Sequence, residues 1–190
     1  MQISAYQFIL AFVLSIFALS AVTPAQAAET YTVDKIHSAV QFKVAHKQAG
    51  QVFGRFNDFE GSYAIDRKNP ANSSVELTIK AGSVDTGFEK RDQHLASPDF
   101  FNAKQFPTIT FKSKKVKVTG KQTAQVTGDL TLLGQTKAVT AQVRHTGTNG
   151  DLAGFEASFK IKRSDWGMKF MVGPLGDEVE MVVAVEGAKK

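Results

Sequence analysis

The chain contains no cysteine. That excludes disulfides, thiolate nucleophiles, zinc–thiolate sites and iron–sulfur clusters, so stability has to come from burial and hydrogen bonding. It has no G-x-S-x-G nucleophile elbow and no G-x-x-x-x-G-K-[ST] phosphate loop, which removes the most legible signatures of serine hydrolases and P-loop NTPases. His37, His46, His94 and His145 include no H-x-x-x-H pair, the spacing by which a helix offers two imidazoles to one metal ion. No metal and no cofactor is expected. Charge is absent from residues 1–28, so the net charge of +5 falls wholly on the remainder.

Within that uncharged stretch, Phe8 to Ala21 is nearly all apolar and is followed by Thr23-Pro24 and then Ala25-Gln26-Ala27. An apolar core of this length before an A-x-A box predicts a cleaved signal peptide over residues 1–27, although the usual basic n-region is missing. The rest, 28–190, is expected to be a single domain located in the periplasm. A basic surface attracts anionic lipid head groups or nucleic acid, and export argues against nucleic acid.

What the chain has in abundance is alternation. Val40, Phe42 and Val44 alternate with Gln41 and Lys43; Val75, Leu77 and Ile79 with Glu76, Thr78 and Lys80. Val126, Leu130 and Leu132 follow the same rule, as do Val139, Ala141 and Val143, then Phe155, Ala157, Phe159 and Ile161, and finally Val179, Met181, Val183 and Val185. A period of two marks strands with one buried face. Residues 52–66 lose phase, with Phe53, Phe59, Tyr63 and Ile65 in register and Phe56 out of it, which predicts a bulge near Gly54 or Gly61. The strand from Thr108 shifts phase between Phe111 and Val116. Short turns at Gly120-Lys121, Gly134-Gln135 and Thr148–Asp151 imply antiparallel neighbours. With Thr30–His46 counted as one strand kinked near Lys35, the total is eight, enough to close an all-β antiparallel barrel around one ligand; a two-sheet sandwich is the rival.

One segment, FEKRDQHLASPDFFNAKQFP at 88–107, interrupts this pattern with a charged helical turn near 88–102 and then aromatics. It is expected to act as a lid or plug. Up-and-down connectivity gathers His46, Ser83 and Arg163 at the end from which this insertion starts. Arg163 and Asp165 continue the inward phase of Phe159 and Ile161, and Arg91, Asp92 and His94 could cover the same mouth. The expected polar collar is therefore His46, Arg91, Asp92, His94, Arg163 and Asp165, while the bland alternative for Arg163 and Asp165 is a solvated loop or a structural ion pair. The expected apolar wall is Val40, Phe42, Val44, Phe53, Phe59, Leu77, Phe100, Phe101, Phe111, Leu130, Leu132, Phe159, Ile161, Trp166 and Met168. An apolar tube with a polar collar suits an amphipathic lipid.

The chain also resembles a known family, the YceI-like or polyisoprenoid-binding proteins of lipocalin-like fold. The residues that carry the likeness are Asp34, His37-Ser38, Phe42 and His46; Gly54-Arg55-Phe56 and Gly61; Ser83-Val84-Asp85-Thr86; Arg91 through Leu95; Asp99-Phe100-Phe101; Phe106-Pro107 and Phe111. They continue with Gly128 through Thr131, Gly134, Arg163-Ser164 and Gly167-Met168. The resemblance implies a barrel with a helical insertion that holds a polyisoprenoid or similar long-chain amphiphile, in a secreted or periplasmic protein; a homodimer is compatible with the resemblance alone. The leading expectation is a carrier that leaves its ligand unchanged and is not an enzyme.

Other readings stay open. An acid–base enzyme could use Arg91, Asp92 and His94. The four histidines could bind metal despite their spacing. A surface interaction module could use the basic strip Lys112, Lys114, Lys115, Lys117 and Lys121 to meet a membrane, although such a strip also serves to discourage strand pairing.

Overall fold

Alternating residues along the chain become a continuous antiparallel sheet in the computed structural model, which describes residues 28–190. The expected signal peptide, 1–27, lies outside the described residues. The strands are β1 (Glu29–Val33), β2 (Ala39–His46), β3 (Gly50–Phe56), β4 (Phe59–Ile65), β5 (Ser74–Lys80) and β6 (Val84–Asp85). After the helix α1 (Glu89–Ala96) come β7 (Thr108–Val118), β8 (Thr123–Leu132), β9 (Gln135–Asn149), β10 (Leu152–Lys162) and β11 (Leu175–Lys189).

Three pairs of these segments are single barrel strands interrupted once. β1 and β2 are joined by a bend at Lys35–His37, β3 and β4 by a break at Asn57-Asp58, and β5 and β6 by a 3-10 turn at Ala81–Ser83. Counted this way the barrel has eight strands, and β11 closes it by pairing with β10 on one side and with both β2 and β1 on the other. Closure removes most of the free edge that an open sheet would present.

The break at Asn57-Asp58 corrects the expected bulge at Gly54 or Gly61. Register is regular from Gly50 to Phe56 against β2 and from Phe59 to Ala64 against β5. This two-residue interruption moves the inward set from even numbers in β3 to odd numbers in β4, so Phe56 and Tyr63 both face in while Phe53 faces out. The shift expected in β7 is found: Ser113 and Lys115 oppose Gly128 and Thr127, leaving Lys114 as the extra residue. At the β8–β9 hairpin, Leu133 and Gly134 both adopt positive φ, 50° and 70°, the geometry of a two-residue turn that matches strand twist.

Connectivity gives the barrel two distinct ends. At one end lie the loop after β2, the insertion from Thr86 to Pro107 that carries α1, the β8–β9 turn and the segment 163–174 between β10 and β11. At the other lie the loop 66–73, the β7–β8 hairpin and the β9–β10 hairpin.

Candidate functional site: an apolar cavity along the barrel

Inward side chains from almost every strand surround a cavity of about 330 Å³, within the range of small-molecule pockets. Its wall runs from Leu95, Phe101 and Leu175 at the helix end, through Phe42, Leu77, Leu130 and Met181, to Val118, Ala124, Val143 and Pro70 at the opposite end. The reason the middle stays open is visible at two glycines. The Phe111 ring lies so close over Gly128 that a Cβ placed there would stand 2.6 Å from it, and the Phe42 ring covers Gly54 in the same manner. Both aromatics fold back against a bare stretch of backbone instead of projecting to the axis.

The helix end is sealed. Phe100 is buried and packs edge-on against His94 and Phe170 at ring separations of 5.0 and 5.4 Å. Phe101 meets Phe56 at 5.4 Å in the same geometry. Arg163 is 2% exposed and touches the cavity, yet its donors are engaged by four backbone carbonyls: Gly176 at 2.9 Å, Met168 at 3.0 Å, Phe170 at 2.8 Å and Leu175 at 3.2 Å. A guanidinium used this way staples the 163–176 loop shut. Burial lowers the Arg163 pKa, and Asp177, which accepts from Ser164 N and Oγ at 2.9 and 2.7 Å, offsets that effect through its charge.

The opposite end is open along one side. Tyr31 and Tyr63, stacked at 5.1 Å, fill the half next to β10 and β11, and Tyr63 donates its hydroxyl proton to the Ala153 carbonyl. Burial pushes the Tyr63 phenol up to about 12. The other half is rimmed by Pro70, Ser73, Ser74, Val118, Ala124 and Val143; Val118 is 51% exposed even though its side chain lies on the inward phase.

These placements sort the expected site residues. Phe42, Val44, Leu77, Phe100, Phe101, Phe111, Leu130, Leu132, Phe159, Ile161, Met168 and Arg163 all line the cavity. Val40, Phe59 and Trp166 are buried but sit in the wall or cap without lining it; the Trp166 indole donates to the Leu130 carbonyl at 3.1 Å. Phe53, 66% exposed, is outside the barrel because of the phase change at Asn57-Asp58. His46 is exposed at the end of β2, and Asp165 is exposed because the chain turns into a 3-10 helix at Arg163–Trp166 before it can reach inward.

Arg91, Asp92 and His94 form no collar. Asp92 accepts from Thr86 N at 2.9 Å and from the Thr86 hydroxyl, Arg91 donates to Thr86 Oγ1 and O at 2.7 and 2.9 Å, and His94 pairs with Asp99 at 2.8 Å. None of the three lines the cavity; they hold the insertion to itself and to the barrel rim.

Several wall residues escaped the sequence reading. Phe56 was hidden by the phase change, Tyr63 stood in register with Phe59 but was not counted in the wall, and Leu95 and Leu175 lie in segments without alternation. Val116, Val118, Ala124 and Val143 carried the alternation signal but sit at the end where no opening was expected.

Asp34, His37 and Glu186 are the one group of potential metal ligands among the described residues. His37 Nδ1 is 2.7 Å from Asp34 Oδ2 and 3.8 Å from Glu186 Oε1, while Asp34 Oδ1 accepts from Ile36 N at 2.8 Å. The hydrogen bond to Asp34 raises the His37 pKa, and the same bond lowers that of Asp34. The group clips the bend between β1 and β2 on the outside of the barrel and satisfies its own polar atoms.

Residues 31–187 match the family model described as a YceI-like domain. A UPF0312 protein of Pseudomonas aeruginosa is 42% identical over 170 residues, covering 86% of this chain and 88% of that protein. Protein YceI of Escherichia coli O157:H7 is 41% identical over 170 residues with the same coverage of both chains, 86% and 88%. Among solved structures, BcnA of Burkholderia cenocepacia superposes with a TM-score of 0.77 at 28% identity, covering 81% of this chain and 98% of that one. A domain from Saccharophagus degradans, described as polyisoprenoid binding and implicated in plant cell wall breakdown, gives 0.70 at 16% identity with 87% and 100% coverage.

Proposed function

This chain belongs to the YceI-like family, and from that premise we propose that it is a periplasmic carrier that sequesters a long-chain polyisoprenoid or similar amphiphile inside the barrel without chemically altering it. The observation that carries this reading is the continuous apolar cavity from Leu95 and Phe101 to Val118 and Pro70. Each buried methylene contributes about 0.8 kcal/mol, whereas association costs on the order of 4–15 kcal/mol. A tail therefore needs roughly ten or more buried carbons to be held, and an elongated site that excludes water selects long chains over short ones. The Saccharophagus degradans domain shares the fold, and the class of ligand in its description is one that a wall of this composition suits.

A binding role also fits the polar groups. Arg163, the charged member of the cavity wall, donates to four backbone carbonyls, and Arg91, Asp92 and His94 are engaged in the insertion. Periplasmic location rests on the apolar run and A-x-A box before residue 28. Organic extraction of the purified protein followed by mass spectrometry tests the carrier reading: a near-stoichiometric long-chain amphiphile, recovered unchanged, is expected. An empty barrel that also takes up no added isoprenoid would overturn it.

A further inference from the structure

We propose that the open end of the barrel docks on an anionic lipid surface, with the β7–β8 hairpin as its main contact, so that the mouth faces the bilayer from which the guest is drawn. The inference rests on the carrier reading above and adds the surface through which loading occurs. Its basis is the side-chain arrangement around the mouth. Val116 and Val118 point inward on β7 and reach the rim, and Val118 is half exposed. On the outward phase of the same strand stand Lys115 and Lys117, with Lys121 in the turn, and none of the three has an ion-pair partner among the described residues. Farther from the mouth the pattern changes: Lys112 is paired with Glu76 and Lys114 with Asp129, each at 2.7 Å.

Register extends this acid-free strip across the neighbouring strands. Lys115 lies opposite Thr127 and Lys117 opposite Gln125; the next positions on β9 are Thr140 and Gln142. Lys68 adds a cation from the 66–73 loop, whose 3-10 turn Pro70–Asn72 packs against β7. Of the carboxylates at this end, Glu29 is bound by Arg67 and Lys189 at 2.8 and 2.9 Å, and Asp66 accepts from Lys68 N, Asn69 N and Asn72 Nδ2. Asp151 lies on the separate β9–β10 hairpin beside exposed Leu152. Lysines around a partly exposed apolar rim match a surface of negative head groups over hydrocarbon.

The test is cosedimentation with large unilamellar vesicles of phosphatidylcholine alone or mixed with phosphatidylglycerol, at low and high salt. Wild type is expected to bind the mixed vesicles and not the neutral ones, with binding lost at high salt as the charges are screened. Lys115→Gln, Lys117→Gln and Lys121→Gln combined should weaken it on the order of 100-fold, about fivefold for each lysine. The comparison variant carries Met171→Ser and Val172→Ser in the exposed apolar loop at the sealed end, and should bind as wild type does. Unchanged binding by the lysine variant, or loss of binding by the loop variant, would overturn the proposal. Lipid extraction of the same preparations reads the carrier role separately: wild type that carries lipid but ignores anionic vesicles refutes docking alone.

Discussion

At the helix end of the barrel, Leu95, Phe100, Phe101 and Met168 close over the interior, and a buried guanidinium ties the covering loop to four carbonyls. At the other end lie the β7–β8 and β9–β10 hairpins, and Val118, Ala124 and Val143 border an opening with lysines outside it. Similar alternation feeds both ends. What separates them is whether an inserted segment supplies side chains that meet across the axis. The insertion 86–107 does so; the shorter 66–73 loop covers its end only in part. The helix end thus carries the stabilising contacts and the open end is free to interact.

The sharpest way to break this comparison is to truncate the plug. Phe100→Ala is expected to destabilise the protein by about 3–5 kcal/mol, the usual cost of deleting a buried aromatic, and to admit solvent to the cavity from the helix end; chemical denaturation and uptake of an environment-sensitive apolar dye measure the two effects. Next in size is Arg163→Met, which strands the carbonyls of Met168, Phe170, Leu175 and Gly176. With a penalty of about 1–3 kcal/mol for an unsatisfied buried group and partial rescue by water, a loss of roughly 2–3 kcal/mol is expected by the same denaturation assay. Val118→Thr at the open rim should change stability by less than about 0.5 kcal/mol, as surface substitutions do. A loss as large as that of Phe100→Ala would mean that both ends are load-carrying caps.

The smallest expected effect concerns neither end but the bend between β1 and β2. Asp34 has its pKa lowered from 3.8, so its contribution is present above that value and fades as pH falls through the lowered one. His37 has its pKa raised from 6.5, so its contribution is present below 6.5 and fades as pH rises through the raised one. The clip is therefore strongest between pH 3.8 and 6.5. The difference in melting temperature between wild type and His37→Ala should be greatest in that window and shrink on the alkaline side; a difference independent of pH would remove the ion pair from the account.

Much of the barrel was legible because burial on one face writes a period of two into each strand. Strand number, the bend near Lys35, the bulge in β7 and most of the wall follow from that pattern. Phe53 and Phe56 were exchanged because alternation reports relative phase only within an unbroken strand, and Asn57-Asp58 breaks one. Asp165 was assigned inward for a related reason: nothing in its spacing shows that the strand gives way to a 3-10 turn at Arg163. Arg91, Asp92 and His94 had the chemistry of a site, but their partners Thr86 and Asp99 are local, so they serve the insertion instead of the cavity. Which end opens was beyond a strand-by-strand reading, since it depends on how loops of different length meet across the axis.

The central claim, a barrel kept hollow for an elongated guest, is tested most directly by filling it. Ala157 lines the cavity midway along β10, and Ala157→Trp would occupy the space that a tail needs while leaving both ends intact. Lipid extracted from equal amounts of folded wild type and variant should fall at least tenfold in the variant at similar thermal stability. Equal lipid recovered from both would contradict the account, because the guest would then reside somewhere other than the barrel interior.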